Sequence, residues 1–363
     1  VIKLLVVDDS ALMRRLLGQI FSEEPDFEVR MARDGLEALA ALHAYRPDVI
    51  TLDVHMPQMD GLACLDRIMV ERPCPVVMIS SLTAQGAEAA LDALRLGAVD
   101  FIAKPKGAVS LGIHEVAPAM VATVRAAAGA RLKPSLRLQE RVRHRIGAVA
   151  ARGAAEGASA TAPTTRAVGA GLVLVGVSTG GPPALEALLT PLPADFPWPI
   201  VVAQHMPASF TGPLSRRLDG LCDLTVSEVT QPVRLLPGHV YVGKGDADVV
   251  IARRAAGLVA MPAPAQPDYP WHPSTDRLVR SALAVAPASQ LIGVLMTGMG
   301  DDGAAAMTLL HAQGGRTIAE SEQSAIVWGM PGQLVKAGGA GWIESLSGIA
   351  ARLLSLTPQR PAA

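Results

Sequence analysis

Short apolar runs alternate with longer segments whose apolar positions recur every three or four residues. This holds over most of the 363-residue chain. Such alternation is the signature of βα units around a parallel sheet. In residues 1–125 it predicts strands at Lys3–Val7, Glu28–Ala32, Asp48–Leu52, Val76–Ser80 and Phe101–Ala103. Helices follow at Ala11–Phe21, Gly35–Tyr45, Gly61–Glu71, Gly86–Leu96 and Glu115–Ala128. Five such units make a small flavodoxin-like (βα)5 domain. The alternation lapses over 126–168, where arginines cluster between Arg131 and Arg152 and then AARGAAEGASATAPTTRAVG runs small and polar. That is linker composition, with SLRLQERVRHRIGAV readable as an exposed helix. From 169 to 357 the βα pattern resumes. LVLVGV, PIVVAQ, LTVSEV, LIGVLM and RTIAE read as strands; HVYVG and DVVIARRAAGLVAMP read as antiparallel or hairpin additions. The expectation is a second, doubly wound, mostly parallel α/β domain with an antiparallel hairpin.

Composition narrows the function classes. Half the residues are hydrophobic and 18% are charged, enough for packed cores. The formal net charge is −1 and aromatics are 3%, so neither a basic field nor a stacking surface invites nucleic acid. Cys64, Cys74 and Cys222 have no metal-ligand spacing and read as reduced thiols. No apolar run spans a bilayer, and VIKLLVVDDS lacks the basic start of a signal peptide. A soluble, cytoplasmic protein is expected.

Ligands of open α/β sheets bind beyond the carboxyl ends of the strands. In the first domain those ends carry Asp8 and Asp9, then Asp53, then Ser80 and Ser81, then Lys104 before Pro105. Any one of these reads as a strand-end polar residue facing water. Their recurrence at successive strand ends selects a site. Converging carboxylates call for a hard divalent cation, and Mg²⁺ with oxygen ligands fits. The lysine can pair with a phosphoryl oxygen and a hydroxyl can sense it. With LLVVDDS, LDVHMPQMDG, ISS and the KP pair, this segment resembles a two-component receiver domain. The resemblance implies that Asp53 accepts the phosphoryl group. It implies that Asp8, Asp9, Asp53 and the backbone carbonyl of His55 hold Mg²⁺, and that Lys104 contacts the phosphoryl group. Ser80, next to Ser81, is then the switch hydroxyl and Phe101 the switch aromatic.

In the second domain, GVSTGG lies between a predicted strand and a helix that opens with proline. A P-loop needs Lys-Ser/Thr after its glycines, and a dinucleotide fingerprint needs G-x-G-x-x-G; both fail. Gly176–Gly180 does fit G-x-S-x-G, a turn that exposes a serine oxygen. A serine nucleophile needs a base and an orienting acid. His205 ends the next apolar strand, and Asp301 or Asp302 follows the strand LIGVLM. The Met299–Gly300 backbone is placed to donate to an oxyanion. The order Ser, His, Asp differs from that of α/β-hydrolases, so the pentapeptide does not imply that fold.

GVSTGG, QHMP, PSTD and MTGMGDDG, following a receiver, resemble the chemotaxis protein-glutamate methylesterases, the CheB response regulators. The resemblance covers nearly the whole chain in order. It implies Ser178 as nucleophile, His205 as general acid/base and Asp302 as orienting carboxylate. Thr179 would position the histidine and the Met299 amide would serve the oxyanion hole. Asp301 departs from the asparagine common in the family. The implied activities are methyl ester hydrolysis at receptor glutamates and deamidation of receptor glutamines, with no cofactor in the catalytic domain. The implied partners are methyl-accepting chemoreceptors and a chemotaxis histidine kinase, with no nucleic acid and no membrane insertion. An unphosphorylated receiver docked over the catalytic edge would exclude the receptor helix, and phosphorylation of Asp53 would release it. A phosphorylation-controlled interaction protein without chemistry is the competing class, opposed by the intact Ser178, His205 and Asp302. A DNA-binding regulator lacks a helix-turn-helix and a basic recognition helix.

Overall fold

A computed structural model describes residues 1–104, 109–132 and 171–358. The linker helix expected over 135–149 lies outside the described residues. In the first domain β1 (Ile2–Val7), β2 (Phe27–Ala32), β3 (Val49–Asp53), β4 (Val76–Ser80) and β5 (Asp100–Ala103) form one sheet. Its order is β2-β1-β3-β4-β5, and every pairing is parallel. Helices α1 (Ala11–Ser22), α2 (Gly35–Ala44), α3 (Gly61–Glu71), α4 (Ala84–Leu96) and α5 (Val109–Ala128) cover it. Side chains of Ser10, Asp34, Asp60 and Thr83 each accept from an amide in the first turn of α1 to α4. Such caps satisfy donors that the helix itself cannot. Thr83 explains why α4 starts two residues before the expected Gly86. Helix α5 also starts earlier than expected, at Val109 instead of Glu115.

The second domain is larger. Its elements are β6 (Leu172–Val177), α6 (Gly181–Leu189), β7 (Ile200–Gln204), α7 (Ala208–Asp219), β8 (Thr225–Val229), β9 (Val233–Arg234) and β10 (His239–Gly243). Then come β11 (Ala247–Arg254), β12 (Gly257–Pro264), α8 (Thr275–Leu283), β13 (Leu291–Leu295) and α9 (Ala304–Ala312). The last are β14 (Arg316–Glu320), α10 (Met330–Lys336), β15 (Trp342–Glu344) and α11 (Leu346–Leu356). Among the described residues the main sheet runs β15-β14-β13-β6-β7-β10-β8, all parallel. The chain winds outward in both directions from β6, and the crevice at that divergence is the natural binding site of such a sheet.

One expectation is corrected. HVYVG, read as an antiparallel or hairpin addition, is β10, an inner strand parallel to both β7 and β8. Five residues with buried Val240 to Gly243 carry no direction in themselves. The neighbours on each edge decide it. DVVIARRAAGLVAMP does form the expected hairpin, β11 against β12, with β9 as a third antiparallel strand.

The two domains touch over a continuous face. Helix α4 packs on α7 and α6, and buried Leu91 and Leu94 belong to the same apolar cluster as Phe210 and Leu214. Phe101 stacks on Phe210 with ring centroids 4.2 Å apart. Arg217 reaches Asp92 across the interface at 3.0 Å and Glu186 beside it at 2.7 Å. Arg131, after α5, pairs with Glu322 at 2.9 Å. A half-open apolar cavity of about 500 Å³ is lined by Leu94 and Val99 of the first domain, Leu132 after α5, and Ala184 and Ile326 of the second.

Arg217→Glu would set a carboxylate against both Asp92 and Glu186. We expect it to weaken the docking by about 1–2 kcal/mol. Amides of α4 and α7 should then exchange several-fold faster with solvent; unchanged protection would show that this ion pair does not hold the domains.

Candidate functional site

The carboxyl edge of the second domain's sheet is built by register. Val177 pairs with Gln204 on adjacent parallel strands, so Ser178 and His205 are the next residues on neighbouring chains. The His205 amide donates to the Val177 carbonyl at 3.1 Å, and the Gln204 side chain donates to the carbonyls of Ser178 and His205. On the other side of β6, Gly176 pairs with Leu295, and the Ser178 amide donates to Thr297 at 3.0 Å. Residues after β13 therefore flank Ser178 as closely as His205 does. Two glycines allow this. Gly180 has φ +75°, and a Cβ at Gly298 would lie 2.8 Å from that of Ser178. Met299, the expected oxyanion donor, is half-buried beside it.

His205 Nε2 lies 2.7 Å from Asp302 Oδ2. The same oxygen accepts from the Thr275 amide at 2.7 Å. The other oxygen accepts from the Ser274 hydroxyl at 2.9 Å and the Asp276 amide at 3.1 Å. Burial pushes the Asp302 carboxyl up, but the hydrogen bond and charge of His205 and the two amides more than offset it, holding the group below the usual range. The amides belong to the first turn of α8, whose dipole also favours an anion. With Nε2 engaged, His205 Nδ1 is the ring nitrogen left to accept a hydrogen bond. It is buried and has no hydrogen-bond partner among the described residues. Of the adjacent aspartates, Asp302 is buried and makes these bonds, whereas Asp301 is exposed.

The indole of Trp271 lies nearly parallel to the His205 ring, 8° off, with centroids 5.6 Å apart. Sequence reasoning did not single out Trp271, Gln204 or the carboxylate-holding role of Ser274 to Asp276. PSTD carried a signal, since serine before an amphipathic run is a helix-cap pattern. Trp271 carried none, because only the return of the loop after β12 brings it to β7.

The first domain meets this edge directly. Thr179, next to Ser178, donates its hydroxyl to Asp100 Oδ2 at 2.6 Å. Asp100 opens β5, and its other oxygen accepts from the Phe101 amide. Burial between the domains pushes the Asp100 carboxyl up to about 6, against the opposing pull of Thr179, the Phe101 amide and the His205 charge.

At the carboxyl edge of the first sheet, one oxygen from each of Asp8, Asp9 and Asp53 lies within 4.8 Å of the others. Lys104 Nζ sits 2.8 Å from Asp53 and 3.1 Å from Asp8. Asp8 and Asp53 are buried and Asp9 is exposed. Three carboxylates with one lysine carry excess negative charge, which suits a hard dication. The His55 side chain is exposed and outside this cluster. Ser80 is fully buried and donates to the Gly86 carbonyl in α4 at 2.8 Å, while Ser81 pairs with Thr83.

A phosphoacceptor-type cluster on one sheet thus faces, through β5, a serine–histidine–aspartate edge on another: the architecture of a response regulator with a hydrolase output. Comparison with known proteins is specific. Residues 4–112 match the response regulator receiver domain, and residues 173–353 match CheB methylesterase. The chain is 56% identical to protein-glutamate methylesterase/protein-glutamine glutaminase 2 of Rhodopseudomonas palustris, over 97% of each chain. It is 54% identical to the similarly named protein 3 of Rhodospirillum rubrum, over 97% of this chain and 95% of that one. The crystal structure of the Thermotoga maritima CheB methylesterase catalytic domain matches 52% of this chain and all of its own, at 33% identity and TM-score 0.50. The chain belongs to the CheB methylesterase family. Among the described residues no helix is long and apolar enough to cross a membrane.

Asp302→Ala would strand four donors, one of them on a buried histidine. We expect a loss of roughly 3 kcal/mol in urea unfolding at pH 7. Because the folded carboxyl titrates below its usual 3.8, its contribution is complete above that value and disappears as pH falls through the folded value. The gap between wild type and variant should therefore narrow below pH 3.8; a gap that persists in acid would assign the loss to packing.

Proposed function

We propose that this protein is a cytoplasmic, phosphorylation-activated hydrolase. It removes methyl esters from glutamate side chains of methyl-accepting chemoreceptors and deamidates receptor glutamines. The proposed division is a receiver over 1–125, a linker over 126–168 and a catalytic domain over 169–357. The observation that carries the reading is the buried His205, held at Nε2 by a saturated Asp302, at the strand end beside Ser178.

Ser178 Oγ attacks the ester carbonyl and His205 Nδ1 takes its proton. Asp302 accepts the hydrogen bond of the imidazolium that forms and keeps the ring in one tautomer. The Met299 amide donates to the oxygen that gains charge. Collapse expels methoxide, which leaves as methanol with the proton from His205. Water, deprotonated by the same histidine, then splits the acyl-serine to glutamate. A glutamine passes through the same tetrahedral geometry and loses ammonia instead. No cofactor takes part in these steps.

In the receiver, Asp53 is the proposed phosphoacceptor, taking its phosphoryl group from a chemotaxis histidine kinase. Asp8, Asp9, Asp53 and the His55 carbonyl would hold Mg²⁺, which when bound neutralises charge on the phosphoryl oxygens. Lys104 pairs with one of those oxygens. Drawing Ser80 toward the phosphoryl group breaks its bond to Gly86 in α4, the helix packed on α7. Phe101 then leaves Phe210, and the docked face loosens.

The test is methanol release from methylated receptor fragments with and without a small phosphodonor. Wild type should release methanol faster with the donor, Ser178→Ala should release none, and Asp53→Asn should keep the basal rate without stimulation. Release by Ser178→Ala, or equal stimulation of Asp53→Asn, would refute the assignment.

A further inference from the structure

Docking of a receiver over a catalytic edge accounts for inhibition by bulk alone. The contact at the centre of this interface does more than fill space. Asp100 presents a carboxylate oxygen to the Thr179 hydroxyl at 2.6 Å, and Thr179 is the residue after Ser178. A threonine hydroxyl has one proton to give, and here it is given across the domain interface. Thr179 is 3% exposed and the His205 side chain 6%, so water does not compete for these groups.

The carboxylate is a poor choice if the contact only glues the domains. Asp100 is half-buried and makes no ion pair among the described residues, and an anion partly desolvated without a cationic partner costs more than an apolar contact of the same size. Leu91, Leu94 and Phe101 on the same face show how apolar packing serves that purpose. Asp100 is also clamped by its neighbour, since its second oxygen holds the Phe101 amide at 2.9 Å. The strand end that carries the switch aromatic thus carries the acceptor as well, and a shift of one moves the other.

We propose that Asp100 is a negative positioning residue: by holding the Thr179 hydroxyl, it pins the turn that carries Ser178 and disarms the serine while the receiver is docked. The inference rests on the serine-hydrolase reading given above. Inhibition then has two layers, exclusion of the receptor helix and pinning of the turn that carries the nucleophile. Movement of β5 on phosphorylation removes both.

A small probe separates the layers. Ser178 is half-buried, so a small alkyl phosphonofluoridate reaches it without domain release. Its reaction forms a bond from Ser178 Oγ to phosphorus, expels fluoride and passes the serine proton to His205. The rate is measured in the full, unphosphorylated chain, with amide exchange in α7 as the gauge of docking. Asp100→Ala should label faster by about tenfold or more, the scale of a misoriented catalytic group, with α7 as protected as in wild type. Asp100→Asn should stay slow, because its side-chain carbonyl oxygen still accepts the Thr179 proton while only the bond from the Phe101 amide is lost. Phosphorylation of Asp53 by a small phosphodonor reports that each variant is folded. If Asp100→Ala fails that check, Asp100→Val also lacks an acceptor, suits a strand, and repeats the measurement. The proposal falls if the variant without an acceptor labels at the wild-type rate. It falls equally if it labels faster only as α7 loses protection, or if Asp100→Asn matches it. Labelling of Ser178→Ala as fast as wild type would instead refute the serine-hydrolase reading.

Discussion

Four donors converge on the Asp302 carboxylate: the His205 ring, the Ser274 hydroxyl and the amides of Thr275 and Asp276. They come from the end of β7 and the start of α8, while Asp302 itself follows β13. One buried anion therefore ties three segments distant in sequence into a single edge. An anion at such depth is tolerable only when its lone pairs are all used. The same saturation that makes it stable gives His205 one orientation. Stability and the proposed chemistry rest on the same bonds.

The parallel sheet makes that convergence possible. Strands β7, β6 and β13 are neighbours, and their ends bring His205, Ser178 and Thr297 to one crevice. Backbone hydrogen bonds in register set these positions, so side-chain packing needs only to refine them. Gly180 and Gly298 serve the crevice by admitting a left-handed turn and a close approach that a Cβ would block. Trp271 closes one face of the histidine, from a loop with no part in the sheet.

The receiver joins this edge through a face of mixed character. Phe101 on Phe210 and the α4–α7 packing bury apolar surface, whereas Arg217 and Asp100 contribute charge that pays a desolvation cost. A half-open apolar cavity lies beside Ile326. In the receiver, Asp8 and Asp53 crowd around Lys104, and the excess of carboxylates leaves the cluster receptive to a cation.

Much of this was legible in the order of residues. Short continuous apolar runs and period-three-to-four segments located both α/β domains, because parallel strands buried on both faces must be continuously apolar. Strand-end polar residues located both clusters, because that is where such sheets expose chemistry. Asp302 and Asp301 could not be separated by spacing alone; burial separates them. HVYVG could not declare its direction, since a strand's orientation depends on its partners. Trp271 on His205, the Ser274–Asp276 cradle and the Asp100–Thr179 bond join residues 26 to 79 positions apart, and no local pattern encodes them. Sequence determined which elements present the candidate residues. Tertiary structure alone decided their partners, because a hydrogen bond between domains is a property of docked surfaces and not of either segment.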